Sequence, residues 1–182
     1  NLTSWTGVGD LVYDAFGRVK YLNYPSSVFL YTADDERLER LDWSGSFATE
    51  VATFTLRAPG GTALTQYQSN GSSQGTWTWQ EDFIHRDGLL LASETPTGVR
   101  HFHLDHLGSP RAITDANGAR IALHTYQPYG EEITTANQSS TKLKFTGHER
   151  DPNGTGTTND LDAMHARNYS PHLGRFLSVD PA

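Results

Sequence analysis

Residues that could carry out acid–base chemistry are concentrated near the end of the chain, between Lys142 and Pro181. This stretch contains a Phe-Thr-Gly-His-Glu-Arg-Asp segment at Phe145–Asp151. It ends in Ala166–Pro181, which combines strand-forming residues, Gly and Pro turn signals, and paired Arg and Asp side chains. We therefore expect any chemistry of this protein to lie in this tail.

A second group of reactive residue types is the run from His101 to His106, with the order His-x-His-x-Asp-His. Alternate strand positions would place His101, His103 and Asp105 on one face, and imidazole nitrogens are good zinc ligands. The order resembles the leading zinc motif of the metallo-β-lactamase superfamily, which needs helices between its strands. Helical periodicity is missing here. The pattern therefore favours incidental metal binding over zinc hydrolysis, and we predict neither a metal nor another cofactor.

A recurring turn pattern indicates the elements that position these residues. Asp10–Val19 contains an alternating apolar run, a Tyr-Asp-x-x-Gly-Arg turn and a second alternating run. Asp14 can bond the backbone two residues on and Gly17 can adopt the left-handed conformation, so the pattern predicts a β-hairpin. Tyr31–Leu38 repeats it, and we interpret Glu36 as the residue in place of the glycine. Further copies are predicted at Arg86–Gly88, Asp105–Gly108, Asp115–Gly118, Tyr126–Gly130 and Tyr169–Arg175.

The spacing of these turns leaves little room for helices, so we predict an all-β fold made of antiparallel hairpins in series. Two short helical candidates, Ala33–Leu41 and Leu161–Arg167, each overlap a copy of the turn. The polar stretches Ser69–Gly75 and Pro152–Asn159 predict loops.

Composition restricts the class of protein. A chain of 182 residues is long enough for one domain with a core. The formal charge of −7 offers no basic face for phosphates, so nucleic acid and anionic membranes are not expected as partners. The sequence has no cysteine and no apolar run long enough to span a membrane. It begins within the pattern at Asn1, without a signal peptide, so we expect a piece of a longer protein.

These hairpin units and the segments after them resemble the YD repeats and the repeat-associated core of the bacterial RHS family. That family is related to the toxin-complex C components and the teneurins. The matching core elements are His103–Asp115, Tyr126–Glu131, Phe145–Asp151 and Ala166–Pro181. The resemblance to the core covers Thr76–Pro181, whereas residues 1–75 match only as degenerate repeats.

The resemblance implies degenerate YD-type repeats in residues 1–75 and the RHS core in residues 76–182. The family fold is a spiralling β-sheet that closes into a hollow shell, with the core at one end. The implied partners are a C-terminal toxin passenger, the remaining shell of the same polypeptide and a component of a secretion machine. The implied location is secreted or cell-surface, in a bacterium. Because 182 residues cannot form a complete shell, we predict the end part of one.

The same resemblance singles out Arg167 and Asp180, because the matching residues are functional in self-cleaving members of the family. An aspartic-type protease shares one proton between two carboxylates, and a neighbouring Arg can hold one of them ionised. The second Asp of the family lies in a later Asp-Pro-x-Gly-Leu segment, which these 182 residues do not contain, and Ser170 stands where the core usually has Asp. Two interpretations stay open: part of a self-processing site, or an ion pair that fixes the tail to the shell.

Aromatic residues allow a third functional hypothesis. Trp77 and Trp79 would lie on one face of a strand and could stack against a sugar. Core or shell-lining packing is the alternative, since aromatic residues do this in most β proteins. A glycan therefore joins the predicted partners.

Overall fold

The computed structural model describes residues 3–5, 9–23, 26–43, 50–70, 76–134, 141–152 and 160–180. The predicted loops therefore fall largely outside the described residues; Ser69 and Asn70 belong to a strand. Within the described ranges, no helix is long and apolar enough to cross a membrane.

The strands of the described ranges form two antiparallel sheets, and the larger one follows the order of the chain. Its strands are β1 (Ser4–Trp5), β2 (Gly9–Tyr13), β3 (Val19–Leu22), β4 (Ser27–Tyr31), β5 (Arg37–Asp42), β6 (Val51–Arg57), β7 (Ala63–Asn70), β8 (Trp77–Arg86), β9 (Leu89–Thr95), β10 (Gly98–Leu104), β11 (Pro110–Asp115) and β12 (Arg120–Leu123). The second sheet contains β13 (Glu149–Asp151), β14 (Leu161–Met164), β15 (Arg167–Ser170) and β16 (Arg175–Phe176). In the part of the chain that the structure describes, one 3-10 turn occupies Phe145–Gly147. The predicted all-β fold is confirmed.

Both helical candidates were wrong. Ala33–Leu41 forms a turn that leads into β5, and Leu161–Arg167 contains β14, a turn and the start of β15. Strand pairing overrides helix propensity at both places: β5 pairs with β4 and β6, and β14 pairs with β13. Helix propensity is a weak preference that tertiary contacts outweigh.

One five-residue turn recurs along the chain. The first N–H donates to the fifth carbonyl, and the fourth N–H donates to the first carbonyl. At the first copy, Gly17 is the fourth residue, with φ of 80°, and the carboxylate of Asp14 accepts the N–H groups of Phe16 and Arg18. This is the hairpin loop that ends in a left-handed residue and a bulge. The copies occupy residues 14–18, 32–36, 58–62, 105–109, 115–119, 127–131 and 144–148.

The second copy corrects one interpretation made from the sequence. Asp35, not Glu36, replaces the glycine: it has φ of 62° and its N–H donates to the carbonyl of Thr32. Asp is one of the residues that tolerate the left-handed region because its short polar side chain can bond locally. Here its carboxylate also accepts a bond of 2.9 Å from Nη1 of Arg18, which joins the first turn to the second.

The chain divides into two compact units. The first contains Asn1–Asp82, His165–Arg167 and Leu177–Ala182, and the second contains Phe83–Met164 and Asn168–Phe176. The predicted boundary after residue 75 stays a prediction.

Each unit has its own core. In the first, directly opposed Leu11 and Leu22 are buried, as is Phe29. In the second, Phe102, Ile113 and Ala122 form a cross-strand row on β10, β11 and β12, and all three are buried. Opposed residues of adjacent strands share one face, so these rows define the packed side of each sheet region.

Candidate functional site

Arg167 and Asp180, the residues singled out from the sequence, are brought together by the structure. Arg167 begins β15, and its Nη2 lies 3.5 Å from Oδ2 of Asp180. The Arg167 side chain is 24% exposed and that of Asp180 is 77% exposed. An ion pair in contact with water contributes little to stability, about 0–1 kcal/mol. A catalytic role for the pair stays a prediction.

Two anchors hold the tail next to this pair, within the first unit. The hydroxyl of Tyr13, the last residue of β2, donates to the backbone carbonyl of Leu177 at 3.2 Å. The Leu177 side chain is only 2% exposed. Burial raises the pKa of Tyr13 to about 12, so the hydroxyl remains a donor at neutral pH. The second anchor joins Nδ1 of His165 to Oε1 of Glu36 at 2.5 Å.

A second group of charged side chains is buried in the second unit, and we call it the buried charge cluster: His124, Glu132, Lys144, Arg150 and Asp162. Arg150 and Asp162 are directly opposed in the pairing of β13 with β14. Nε and Nη2 of Arg150 donate to the two carboxylate oxygens of Asp162 at 2.7 and 2.8 Å. Nη2 also donates to the carbonyl of Gly130 at 2.9 Å. This is the two-pronged geometry that makes Arg–carboxylate pairs strong.

Glu132 is the second carboxylate of the buried charge cluster. Its Oε1 lies 2.6 Å from Nδ1 of His124 and accepts the hydroxyl of Thr134 at 2.9 Å. Its Oε2 lies 3.7 Å from Nζ of Lys144 and 3.9 Å from Nη1 of Arg150. Burial alone would raise the pKa of Glu132. The hydrogen bond with His124, the charge of Lys144 and the Thr134 hydroxyl outweigh burial and lower that pKa.

Burial shifts the pKa values of Asp162 and Lys144 in opposite directions. It raises the pKa of Asp162 to about 6, although the hydrogen bonds and charge of Arg150 act in the opposite direction. It also lowers the pKa of Lys144, and the attraction of Glu132 only partly offsets this. Asp151 and Asp160 are buried beside them and raise the pKa of Asp162 further. The cluster therefore has a high cost of desolvation that only mutual pairing offsets.

The buried charge cluster joins chain segments that have little regular structure. Residues 124–134 and 142–148 form isolated bridges and turns, and β13 and β14 follow them. The sequence pointed to the segment that contains Arg150, but it did not identify Asp162 as the partner of Arg150. Asp160 and Asp162 alternate with Leu161, which is compatible with a strand, but all three are buried and nothing in this alternation indicates that a carboxylate faces Arg150.

Side chains of the His101–His106 run, whose order resembles a zinc motif, form hydrogen bonds within the protein. The carboxylate of Asp105 accepts the N–H groups of Leu107 and Ser109, both at 3.0 Å, within a turn. Nε2 of His103 lies 3.2 Å from the hydroxyl of Thr114. Among the residues that the structure describes, no three His, Asp or Glu side chains are grouped so that they could hold a metal ion.

The aromatic strand face is partly exposed. Trp77 is 40% exposed and its ring meets the edge of Phe54, with the centroids 6.2 Å apart. Trp79 lies directly opposite Tyr67, and its indole nitrogen is buried without a hydrogen-bond partner. Glycan binding on this face stays a prediction.

Solved structures with a similar fold cover nearly the whole chain. The crystal structure of TcdB2-TccC3-Cdc42 superimposes with a TM-score of 0.72 at 19% identity and covers 99% of this chain. The crystal structure of TcdB2-TccC3 gives a TM-score of 0.70 at 18% identity and covers 98% of this chain. The chain has the fold of these proteins. It spans 9% of the length of each matched chain.

Curated relatives match about half of the sequence. Salivary gland surface protein 1 of Aedes aegypti is 37% identical over 102 residues, 54% of this chain and 3% of that protein. The tRNA3(Ser)-specific nuclease WapA of Bacillus spizizenii is 30% identical over 56% of this chain and 4% of its own length. Double-stranded DNA deaminase toxin A of Burkholderia cenocepacia is 31% identical over 51% of this chain and 6% of its own length. No family model matches the chain.

Proposed function

We propose that this chain is the C-terminal core of an RHS/YD-repeat protein, which closes one end of a β-shell around a C-terminal toxin. The observation that carries the proposal is the fold similarity to TcdB2-TccC3 over 98–99% of the chain. Two relatives in sequence are a nuclease and a deaminase toxin, and each is far longer than the matched part. The matched part is therefore a portion that proteins with different activities have in common.

The physical organisation of the chain supports this role. Hairpins joined by the same five-residue turn add strands one after another, so the sheet can be extended without a long connection. Arg18 bonds both Asp14 and Asp35 and thereby fixes one turn against the next. The buried charge cluster then holds irregular segments in one arrangement, which suits an element that ends a sheet.

Protection of the passenger tests this proposal. The complete open reading frame that contains these 182 residues is expressed, and the product is digested with trypsin under native conditions. We expect the segment downstream of Asp180 to resist digestion, whereas the same segment expressed alone is cut rapidly. Arg150→Met should shorten the protected lifetime, and Arg86→Met should not, because the Arg86 side chain is 79% exposed. Equal digestion of the linked and the isolated segment would refute the shell role.

Self-processing is a second candidate function, favoured by the pairing of Arg167 with Asp180 at 3.5 Å. In this hypothesis Asp180 is one carboxylate of an aspartic-type site, and Arg167 holds it ionised. The complete reading frame and its Asp180→Asn variant are compared on a gel over time. We expect the variant to remain uncut, while the control Asp87→Asn, whose side chain is 88% exposed, is cut like the unchanged protein. Cleavage of both variants at the same rate would remove Asp180 from the mechanism.

A further inference from the structure

The first unit holds the tail at two separate points, and each point precedes one member of the Arg167–Asp180 pair. His165, which lies two residues before Arg167 in the chain, forms a hydrogen bond with Glu36. Leu177, which lies three residues before Asp180, accepts a hydrogen bond from the Tyr13 hydroxyl through its backbone carbonyl. Both anchoring groups belong to hairpins near the start of the chain, far from the tail in sequence.

The anchors are built into the turns themselves. Tyr13 is the tyrosine of the first Tyr-Asp unit, and its partner Leu177 is buried. Glu36 is the fifth residue of the second turn, and its carboxylate lies directly over Gly61 of the third turn. A Cβ at Gly61 would come within 2.5 Å of both Glu36 oxygens, so a side chain there would displace this carboxylate from its present place. The contact with His165 and the open space above Gly61 together define where the Glu36 carboxylate lies.

The Arg167–Asp180 pair cannot fix its own geometry. Its separation of 3.5 Å is long for a charge-assisted bond, which is normally about 2.7–2.9 Å. Asp180 is mostly exposed and Arg167 partly so. The backbone on either side of the pair is held by Glu36 and Tyr13, and this backbone contributes to the placement of both side chains.

We propose that Tyr13 and Glu36 are positioning residues, which bring Arg167 and Asp180 into the arrangement required for self-processing. The proposal rests on self-processing as the function of this pair. Tyr13 acts through the carbonyl of Leu177, and Glu36 acts through His165. Cleavage therefore requires that the turns of the first two repeats have formed.

The test measures the first-order rate constant of self-cleavage in the product of the complete reading frame, together with its urea unfolding midpoint. Tyr13→Phe removes only the hydroxyl, and Glu36→Ala removes the acceptor of His165. Each should slow cleavage about 10- to 100-fold, as small displacements of catalytic groups do, while the unfolding midpoint falls only by the small shift that one lost hydrogen bond causes and the protein stays fully folded without urea. Glu36→Gln keeps an oxygen acceptor and should recover most of the rate. Tyr67→Phe and Glu94→Ala are the matched controls and should cleave at the unchanged rate.

The outcomes separate this proposal from the function on which it rests. If Asp180→Asn abolishes cleavage while Tyr13→Phe and Glu36→Ala cut at the original rate, the positioning role is wrong and self-processing stands. If the two variants lose unfolding midpoint in proportion to rate, their role is structural and the proposal is overturned. If Asp180→Asn cuts at the original rate, self-processing by this pair fails, and the positioning role fails with it.

Discussion

Replacement of Arg150 by Met should strongly destabilise the second unit. The change removes two hydrogen bonds to Asp162, of 2.7 and 2.8 Å, and one to the carbonyl of Gly130. Asp162 is completely buried, so its carboxylate would remain in the interior without its cation. Removing one partner of a buried ion pair costs about 3–5 kcal/mol. A domain of this size is stabilised by about 5–15 kcal/mol, so the loss is a large fraction of the total.

The stability lost in Arg150→Met should increase as the pH rises. Burial raises the pKa of Asp162 to about 6, above its value of about 3.9 in an unfolded chain. The folded state therefore holds this proton more tightly than the unfolded state, and the contribution of Asp162 to stability falls as pH rises from about 4 to about 6. Without Arg150 the pKa of Asp162 rises further, and the decline continues above pH 6. The cost of Arg150→Met should thus be larger at pH 8 than at pH 5.

Urea unfolding followed by circular dichroism measures this cost, and amide exchange of β14 reports on the site itself. The double variant Arg150→Met/Asp162→Leu removes the stranded carboxylate and should be about 2 kcal/mol more stable than the single variant. Arg86→Met is the control and should change stability by less than about 0.5 kcal/mol. A loss below about 1 kcal/mol for Arg150→Met, or a double variant less stable than the single one, would refute the reasoning.

Two further predictions concern the recurring turn and use the same urea assay. Gly130→Ala should cost about 1–3 kcal/mol more than Gly118→Ala. A Cβ at Gly130 would lie 2.4 Å from the Phe145 ring, whereas a Cβ at Gly118 meets nothing within 4 Å; equal losses would contradict this packing. Asp14→Ala should cost about 1–3 kcal/mol and more than Asp115→Ala, because Asp14 also accepts Nε of Arg18 at 2.7 Å. A larger loss for Asp115→Ala would contradict the assigned role of Arg18.

The hairpins could be predicted from the sequence because their chemistry is local. An Asp that accepts nearby N–H groups and a Gly three residues later define the turn at residues 14–18 and at residues 115–119. The assignment was wrong where glycine is replaced: at the second turn the left-handed residue is Asp35, and the Glu36 side chain binds His165 of the tail.

The buried charge cluster could not be predicted in the same way. Arg150 and Asp162 lie on different strands, and nothing local indicates which of several acidic residues an arginine will face. Leu161–Arg167 was only a short helical candidate within a predicted all-β chain, and the sequence does not show the pairing of β14 with β13 that makes it a strand. Arg167 and Asp180 were found by resemblance to a family, and the structure adds the contacts of Tyr13 and Glu36 that hold them.

A density map of the complete polypeptide, determined by cryo-electron microscopy, tests the central proposal most directly. We predict that the hairpins of this chain continue a larger β-sheet and close one end of a shell, with density of a passenger inside. A map in which these 182 residues form a separate domain, with solvent on both faces of the sheet and no enclosed passenger, would contradict the proposal.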